Sequence, residues 1–542
     1  MKPRPAAERT YRGEPASPGL AIGVLVRLAA RPQAVDDAGE PLAAAKARLK
    51  AAIGSAKDEL SALIAANDAM GADILEFQHE LLDDPTLVDA AFSAIDQGAG
   101  ATSAWATAVG EQIAVYESAE DEYFRARASD LTDLRDRVLG VLSGASSAGH
   151  PDVPHGAIVL TEDMTPSVFL SFDWRRLGGA ALVAGSRASH VAMLARARGV
   201  PLLTGLEAEP ATFAGDAVLD AHDGVLVLSP TAATRARYAS RIAEAEDLHR
   251  RAQDSLSRPA VTATGEHIEV MVNVDDPGAV GDEILQASDG VGLMRTEFLF
   301  IGRDRLPSED EQFTAYSRIL HRLGGKPVVI RTLDVGGDKP LPGVNIAAES
   351  NPFLGLRGIR LCLDKPELFR PQVRALLRAG VDTALRVMLP MIATAAEVEE
   401  TRQVFADCLA ELRRAGVAAA MPPLGIMVET PAAAIAIELI AADFYSIGSN
   451  DLTQYVMAAA RDGGGRVARL NDPGHPAVIR LIEQVVAHGR SSGKPVSLCG
   501  DMASDPALAK LLLAAGLRCI SVAPAALGRI KLAIAGMGSA DG

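Results

Sequence analysis

Five short apolar runs in the C-terminal half of the sequence end in charged or polar residues. The segments that follow these runs are Arg295-Thr-Glu297, Arg331 to Lys339 with Asp334, Glu429-Thr-Pro431, Gly448-Ser-Asn450-Asp451 and Cys499-Gly-Asp501. Each ending alone is explained by a loop salt bridge or a helix cap. If the runs are strands of one parallel barrel, however, their carboxyl ends share the face on which such barrels carry active sites. The sequence therefore predicts one reactive surface built from five strand ends.

The types of these side chains indicate what the surface binds. The guanidinium groups of Arg295, Arg331 and Arg357 present planar pairs of donors that match phosphate and carboxylate oxygens. Glu429 and Asp451 supply hard carboxylate oxygens, which Mg²⁺ accepts together with water and substrate oxygens. This combination predicts a small substrate that carries both phosphate and carboxylate, bound beside a divalent metal.

Cys499 is a different kind of group on the same predicted surface. A buried cysteine is commonly just a small hydrophobic residue. A cysteine at the end of a barrel strand can also deliver or remove a proton during a reaction. The residue pattern leaves both interpretations open.

A second candidate site surrounds His190 in the N-terminal half. A strand, a glycine turn at Gly185 and a helix-like run place Ser189 near a helix N-cap and His190 in the first turn. Backbone N–H groups and the positive helix end would stabilise a phosphoryl group on the imidazole. They would also disfavour the imidazolium form and keep the ring able to attack phosphorus. The alternative from spacing alone is a capping histidine.

The elements that would position the barrel residues can be counted. From residue 261 onward the chain has eight strand-like runs separated by helix-length connections, which predicts a (β/α)₈ barrel. The runs are Ile268–Val274, Gly290–Met294, Val328–Leu333, Arg386–Met391, Leu424–Glu429, Phe444–Ile447, Val496–Cys499 and Cys519–Val522.

The predicted fold class is a multidomain α/β protein. Residues 1–30 and 145–230 are assigned to a small α/β domain, because short buried-strand runs alternate there with helix-like segments. Residues 31–144 have helical periodicity, with Leu42, Leu49, Ile53, Leu60 and Leu63 on one face, and form an inserted helical bundle. Residues 231–260 are assigned to a linker helix and 261–542 to the barrel.

The composition excludes several classes of protein. The chain has 542 residues, a formal net charge of −16 at pH 7 and four widely separated cysteines. The acidity argues against nucleic acid or an anionic membrane as the main partner. The absence of a CxxC pair, of a signal peptide and of an apolar run of about 18 residues favours the reducing cytosol. We therefore expect a cytoplasmic protein with no nucleic-acid or membrane partner.

Taken together, the motifs resemble those of enzyme I of the bacterial phosphoenolpyruvate-dependent sugar phosphotransferase system. The resemblance covers nearly the whole chain and keeps the order and spacing of the family. The motifs that carry it are Pro15-Ala-Ser-Pro-Gly19, Ser189-His190, Gly292 to Phe300, Arg331 to Lys339, Asn351 to Arg357, Gly425 to Pro431, Ile447 to Tyr455 and Cys499-Gly500.

This resemblance implies a role for each candidate residue. His190 would be the nucleophile that takes phosphate from phosphoenolpyruvate, on a domain that swivels between donor and acceptor. Glu429 and Asp451 would hold Mg²⁺, and Cys499 would protonate the enolate carbon and release pyruvate. The residues that would bind phosphoenolpyruvate are Arg295, Arg331, Arg357, Asn450 and Arg461.

The resemblance also implies partners. The inserted helical domain would dock HPr, the small histidine-containing phosphocarrier, and His79 lies in the matching stretch. The family works as a homodimer joined through its barrels, and we expect the same assembly here.

Several positions differ from the family pattern. Around His190, Ser186, Ala188 and Val191 replace the usual residues, so two hydroxyl groups near the imidazole are missing. Ala460 precedes Arg461 where the family usually has Asp, and Asp501 stands where Glu is usual. None of these changes removes the nucleophile, a metal ligand or a listed arginine. They predict an altered rate or choice of partner.

Two alternatives stay open at this point. A pyruvate phosphate dikinase or phosphoenolpyruvate synthase shares the swivelling histidine and the barrel. Those enzymes need an ATP-binding domain of roughly 200 residues, whereas the helical segment here is shorter and has no glycine-rich phosphate loop. A regulatory paralogue with weak or lost transfer is the second alternative.

Overall fold

The chain forms two compact units, Met1–Ala245 and Glu246–Gly542. The computed structural model describes residues 7–28, 37, 39–67, 69–118, 122–144, 153–187, 189–207, 215–301, 303, 305–336, 344, 349–460 and 465–538. Ala188 and Arg461 therefore lie outside the described residues. Within the described part of the chain, no helix is both long and apolar enough to cross a membrane.

The first unit contains an eight-stranded mixed sheet. Its strands are β1 (Arg9–Arg12), β2 (Glu14–Ser17), β3 (Leu20–Arg27), β4 (Ile158–Thr161), β5 (Gly179–Leu182), β6 (Leu202–Thr204), β7 (Gly215–Asp220) and β8 (Val225–Leu228). The order is β1-β8-β7-β3-β4-β5-β6-β2, with parallel pairing from β3 to β6 and antiparallel pairing elsewhere. The sequence did not predict β1, β2 and β6, because three or four residues carry too little periodicity.

Five helices lie between β3 and β4 in the chain, and two more follow in the α/β part. They are α1 (Leu42–Ala66), α2 (Ala69–Leu81), α3 (Pro85–Asp96), α4 (Ala101–Glu117), α5 (Glu122–Leu142), α6 (Pro166–Ser171) and α7 (His190–Arg198). One hydrophobic core joins the bundle to α6, α7 and one face of the sheet, with Leu49, Trp105 and Phe169 fully buried. The predicted periodicity holds for Leu49 and Leu60, whereas Leu42, at the first position of α1, is exposed.

The predicted linker segment is one long helix, α8 (Ala232–Leu256). Its carboxyl end is fixed by Lys531, whose Nζ donates to the carbonyl oxygens of Leu256, Arg258 and Ala287 at 3.1, 2.9 and 2.6 Å. A buried ammonium needs several acceptors to offset its lost hydration. Lys531 therefore anchors the end of α8 within the second unit, to which Leu256, Arg258 and Ala287 all belong.

The second unit is a closed, all-parallel, eight-stranded barrel, which confirms the predicted fold class. Its strands are β9 (Glu269–Val274), β10 (Val291–Met294), β11 (Val328–Arg331), β12 (Leu385–Leu389), β13 (Leu424–Val428), β14 (Tyr445–Ile447), β15 (Val496–Leu498) and β16 (Cys519–Val522). All eight predicted strands are present. Four of them end at the predicted residue and four end one or two residues earlier, so Glu429 and Cys499 are the first residues beyond their strands.

Helices surround the barrel on the outside. They are α9 (Asp282–Ala287), α10 (Glu309–Arg322), α11 (Ile359–Asp364), α12 (Pro366–Ala379), α13 (Ala395–Arg414), α14 (Pro431–Ile435), α15 (Ser449–Met457), α16 (Gly465–Ala468), α17 (Pro476–Ser492), α18 (Pro506–Ala514) and α19 (Leu527–Ala535). Alternate strand residues point outward into the core shared with these helices. The others fill the barrel, where Leu293, Val329, Met388, Phe444 and Cys499 belong to one small cluster.

Candidate active site

One cavity of about 350 Å³ opens at the carboxyl ends of the barrel strands. It is lined by the side chains of seven residues that the sequence singled out, namely Arg295, Arg331, Arg357, Glu429, Asn450, Asp451 and Cys499. The structure therefore brings together residues that are more than 200 positions apart in the chain. This gathering follows from the parallel barrel, which turns every strand's carboxyl end to one face.

Asp334 lies at the centre of the arginine cluster. Its Oδ2 is 2.8 Å from Nη1 of Arg331 and 2.9 Å from Nη2 of Arg357, and its Oδ1 accepts from Nε of Arg357 at 3.2 Å. Burial opposes ionisation of Asp334, but the two guanidinium groups hold its pKa below the ordinary value. Asp334 therefore fixes two cations side by side.

Glu297 supports the same cluster from the end of β10. Its Oε1 accepts from Nη2 of Arg331 and from the backbone N–H of Asp334, both at 2.9 Å. Arg331 is 8% exposed, and among the described residues neither its Nε nor Oε2 of Glu297 has a hydrogen-bond partner. A buried N–H left without a partner is rare in a folded protein. An anionic ligand in the cavity would give the guanidinium of Arg331 a further acceptor.

Arg357 reaches the cavity from a loop held close to β11. Gly336 forms an isolated antiparallel bridge with Arg357, and a Cβ on Gly336 would come within 2.7 Å of the Arg357 Cα atom. Only glycine allows this approach of two backbones. Tyr455 closes the loop from the other side, because its hydroxyl donates to the carbonyl of Phe353 at 2.5 Å and lies 3.4 Å from Nη1 of Arg357.

Arg295 occupies the outer part of the cavity. Its Nη1 contacts Oδ1 of Asp275 at 2.6 Å, and both side chains are partly exposed. An exposed ion pair is weak and easily exchanged. Arg295 is thus free to turn toward a bound anion, whereas Arg331 and Arg357 are held in place.

Glu429 is almost fully buried beside the arginine cluster. Its Oε1 accepts from the backbone N–H of Met391 at 2.6 Å. Burial, and then the nearby carboxylates of Asp334 and Asp451, raises the pKa of Glu429 to about 8. A divalent cation between Glu429 and Asp451 would relieve this repulsion and favour the carboxylate form.

Two carboxylates of the cavity wall, Glu429 and Asp451, are donors that would suit Mg²⁺. Among the described residues, no group of three or more His, Cys, Asp or Glu side chains is arranged to hold a metal ion. Mg²⁺ commonly uses one or two carboxylates and completes its shell with water and substrate oxygens. Glu429 and Asp451 could supply these two carboxylates.

Asn450 is oriented by Asp501. Asn450 Nδ2 donates to Oδ2 of Asp501, and Asn450 Oδ1 accepts from the backbone N–H of Asp501, both at 2.9 Å. These two bonds fix the amide of Asn450 at the cavity wall. Asp501, which stands where the family usually has the longer Glu, therefore orients Asn450, a residue that the sequence predicts to lie in the substrate site.

Cys499 lies at the floor of the cavity and is 2% exposed. Ser446 Oγ donates to its sulfur at 3.4 Å, and Asn273 Nδ2 donates to its carbonyl at 3.1 Å. Burial raises the pKa of the thiol. Cys499 is therefore a protonated thiol at neutral pH and has a proton to give.

His190 lies in the first unit, as the first residue of α7. Ser189 is the N-cap and accepts from the backbone N–H of Ala192 at 3.2 Å, as its position in the sequence predicted. Nδ1 of the imidazole lies 3.1 Å from Oδ1 of Asp130 on α5. Because a carboxylate accepts and does not donate, it favours the tautomer with hydrogen on Nδ1 and leaves the lone pair on Nε2.

A second carboxylate holds α5 against the sheet domain one turn after Asp130. Asp133 accepts from the hydroxyls of Thr165 and Ser167 at 3.0 and 2.6 Å, from the Ser167 backbone N–H at 2.9 Å and from Gln78 at 3.1 Å. All four contacts are buried. This network fixes the position from which Asp130 reaches His190.

Known proteins match the chain along its length. Three family models of the PEP-utilising enzymes match in chain order: the N-terminal domain over residues 12–127, the mobile domain over 153–224 and the PEP-binding domain over 249–538. The phosphoenolpyruvate-protein phosphotransferase of Bacillus sp. (strain S) is 39% identical over 525 residues, which cover 94% of this chain and 90% of the relative. The chain belongs to the phosphoenolpyruvate-protein phosphotransferase family.

Two other members of this phosphotransferase family are also similar to the chain over most of its length. The protein of that name from Priestia megaterium is 35% identical over 98% of this chain and 95% of its own length. The one from Haloferax volcanii is 39% identical over 87% of this chain and 83% of its own length. These matches support the family predicted from the motifs and give no support to the dikinase alternative.

In this phosphotransferase family member, sequence reasoning missed several supporting residues. Glu297 and Asp334 stand in the quoted motifs but were not assigned a role, although each follows a predicted arginine by two or three positions. Tyr455 ends a quoted motif. Asp130 and Ser446 carried no signal, because their partners His190 and Cys499 lie 60 and 53 residues away.

Proposed function

We propose that this protein transfers the phosphoryl group of phosphoenolpyruvate to Nε2 of His190 and then to a histidine of an HPr-type carrier, releasing pyruvate. The single observation that carries the proposal is the pairing of Arg331 and Arg357 through Asp334 at the mouth of a barrel that also holds Cys499. Family membership supports the reaction class, and this geometry supports the assignment of roles to these residues.

The barrel cavity would bind the donor. The guanidinium groups of Arg295, Arg331 and Arg357 would bind the phosphate and carboxylate of phosphoenolpyruvate, with the Asn450 amide beside them. Phosphoryl transfer requires mainly positioning and neutralisation of charge on the transferring group. Arginines already held by buried carboxylates meet that need, since little reorganisation accompanies the reaction. Arg461, which lies outside the described residues, is proposed as a further ligand from the family motif.

Glu429 and Asp451 would hold Mg²⁺. When bound, the ion would supply positive charge to the phosphate oxygens. The support for this site is that both carboxylates line the cavity, and that burial, and then Asp334 and Asp451, raises the pKa of Glu429.

His190 would be the acceptor. The Asp130 carboxylate would hold hydrogen on Nδ1 and stabilise positive charge on the ring as Nε2 attacks phosphorus. The P–O bond to the enol oxygen then breaks and leaves the enolate. The Cys499 thiol would give its proton to the methylene carbon of that enolate, which makes the methyl group of pyruvate.

The family resemblance supports the remaining parts of the proposal. The helical bundle, residues 31–144, would dock the carrier near His79, which lies in the last turn of α2. The α/β part, residues 1–30 and 145–230, would carry His190 between donor and carrier, with 231–260 as the linker. The barrel, 261–542, would join two copies in a cytoplasmic homodimer.

Labelling with radioactive phosphoenolpyruvate and Mg²⁺ tests this function. We expect acid-labile phosphate on the intact protein, its loss in His190→Ala, and its movement to an added HPr-type protein. His222→Ala removes an exposed histidine of the same unit and serves as the matched control. Equal labelling of His190→Ala and wild type would refute the assignment of the nucleophile. No labelling of wild type would favour the regulatory paralogue.

A further inference from the structure

A row of hydroxyl groups leads away from the sulfur of Cys499 inside the barrel. Ser446 Oγ donates to Cys499 Sγ at 3.4 Å, and Ser497 Oγ donates to Ser446 Oγ at 3.1 Å. Ser446 and Ser497 are register partners on β14 and β15. Strand alternation turns both of them to the barrel interior, on the same face as Phe444 and Cys499. The two serines and the sulfur therefore form one continuous chain.

The far end of this chain approaches solvent. Ser446 is fully buried, whereas Ser497 is partly exposed. A second cavity, of about 480 Å³, lies at the amino ends of the strands, and Phe444 and Pro495 line it. These residues precede Ser446 and Ser497 by two positions and so share their face of the barrel wall. The hydroxyl row thus runs from the sulfur toward the end of the barrel opposite the substrate cavity.

Cys499 needs such a connection if it protonates the enolate. A thiol that has given up its proton becomes a thiolate, which is costly in a buried, low-dielectric site. The sulfur must regain a proton before another turnover. It is 2% exposed, and a substrate or product bound in the cavity would cover it.

We propose that Ser446 and Ser497 relay protons to Cys499 from water at the amino ends of the barrel strands. The inference rests on the proposed role of Cys499 as the proton donor. As the thiol S–H bond breaks and the C–H bond of pyruvate forms, the sulfur takes the Ser446 hydroxyl proton. Ser446 takes the proton of Ser497, which takes one from water. The transfers are concerted, so no alkoxide forms, and each enolate consumes one solvent proton in total.

The simpler explanation is that the serines only satisfy each other's hydrogen bonds inside the barrel. In that case their removal would change stability and leave proton transfer untouched. The two explanations therefore differ in one measurable quantity, the rate at which the Cys499 proton exchanges with solvent.

Deuterium uptake by pyruvate measures this rate. The full-length protein is incubated with pyruvate and Mg²⁺ in D₂O, and the loss of the methyl proton signal is followed by NMR. Enolisation of bound pyruvate moves a methyl proton to the sulfur, and deuterium enters only after that proton has left through the relay. We expect Ser446→Ala to slow uptake by about a hundredfold, the lower end of the effect of a single acid–base group, and Ser497→Ala to slow it less.

Two variants and one measurement separate the relay from structural damage. Ser446→Thr keeps a hydroxyl at the same position and should restore exchange. Ser288→Ala removes another buried serine of the same unit, whose hydroxyl donates to the carbonyls of Leu285 and Gly290, and should exchange like wild type. Labelling of His190 by phosphoenolpyruvate, measured on every variant, reports whether the donor site is intact.

A second readout is the dependence of the exchange rate on the deuterium fraction of the solvent. Several protons moving together give a curved dependence in wild type, and Ser446→Ala should give a straight line. Wild-type exchange by Ser446→Ala would overturn the relay while leaving the proposed function intact. Absence of exchange in wild type, or wild-type exchange by Cys499→Ala, would overturn the relay together with the donor role of Cys499. Failure of His190 labelling would instead count against the proposed function itself.

Discussion

At the barrel mouth two carboxylates hold two guanidinium groups, whereas in the other unit one carboxylate holds one imidazole. Asp334 and Glu297 position Arg331 and Arg357, and Asp130 positions His190. The difference matches the two tasks proposed for these regions. A donor site must neutralise the charge of a phosphate and a carboxylate, so it needs several fixed cations. An acceptor site needs one nucleophilic nitrogen with a defined tautomer.

The comparison of the barrel mouth with the His190 site predicts that, of the substitutions considered, one at Asp334 has the largest effect. Asp334→Asn would release both Arg331 and Arg357 and leave buried positive charge unbalanced. We expect the rate of His190 labelling by phosphoenolpyruvate to fall on the order of 10²- to 10³-fold. The free energy of unfolding should fall by about 3 kcal/mol, as for a broken buried ion pair. Rapid-quench labelling and urea unfolding measure the two quantities.

Glu266→Gln is the matched control for Asp334→Asn. It removes an acid from an exposed ion pair with Arg518 in the same unit. Exposed pairs contribute less than about 1 kcal/mol, so both labelling and stability should stay close to wild type. A wild-type labelling rate in Asp334→Asn would show that the arginines need no such anchor.

The next effect is expected at Asp130. An amide in its place can donate to Nδ1 and select the other tautomer, which puts hydrogen on the nucleophilic Nε2. We expect Asp130→Asn to slow His190 labelling on the order of 10²-fold, with an unchanged KM for phosphoenolpyruvate. Nitrogen NMR of the imidazole reads the tautomer directly. Asp96→Asn, on the surface of the same bundle, should change neither quantity, and an unaltered tautomer in Asp130→Asn would refute the proposed role.

These two regions also differ in how far the sequence predicts them. The barrel strands and six of the seven cavity residues follow from strand-end motifs, because a parallel barrel gathers strand ends without help from other elements. Arg357, the seventh, belongs to the loop motif Asn351 to Arg357. The sequence also places Ser189 correctly as the N-cap of α7. The contact of Asp130 with His190 is not predicted, because Asp130 lies on α5 of the inserted bundle. No local sequence pattern shows which turn of that helix faces the sheet.

Supporting contacts inside the barrel are also not predicted, because they depend on how separate elements pack together. In the sequence, Ser446 is one small residue in an apolar run. Its contact with the Cys499 sulfur follows from the register of β14 and β15. Gln372 on α12 is buried and contacts Thr296 and the Leu333 backbone N–H behind the arginine cluster. Its helical spacing is that of a core residue. Sequence patterns identify groups that line a site more readily than the groups that hold them.

Metal binding gives a smaller, pH-dependent effect at the donor site. The pKa of Glu429, raised to about 8 by burial and then by Asp334 and Asp451, means that its carboxyl keeps a proton at pH 7 without metal. Mg²⁺ needs the carboxylate and must displace that proton. We expect the Mg²⁺ affinity to rise as pH rises toward 8, by up to about tenfold per unit, and then to level off.

Calorimetric titration in two buffers of different ionisation enthalpy tests the Mg²⁺ prediction. At pH 7 the difference between the two apparent enthalpies should correspond to the release of close to one proton for each Mg²⁺ bound. At pH 9 the two apparent enthalpies should be equal. Glu429→Gln should bind weakly and release no proton. Equal enthalpies at pH 7 in wild type would mean that Glu429 is already ionised or does not bind the ion.

The smallest effect tests the outer support of Arg357. Tyr455→Phe removes the hydroxyl that donates to the Phe353 carbonyl and contacts Arg357, while Asp334 still holds the guanidinium. Loss of one such hydrogen bond corresponds to about 1 kcal/mol, so the KM for phosphoenolpyruvate should rise about fivefold with little change in kcat. Tyr445→Phe is the matched control, since its hydroxyl bonds the Ile440 carbonyl outside the cavity. If both variants raise KM equally, the effect is on barrel stability, and Tyr455 does not position Arg357.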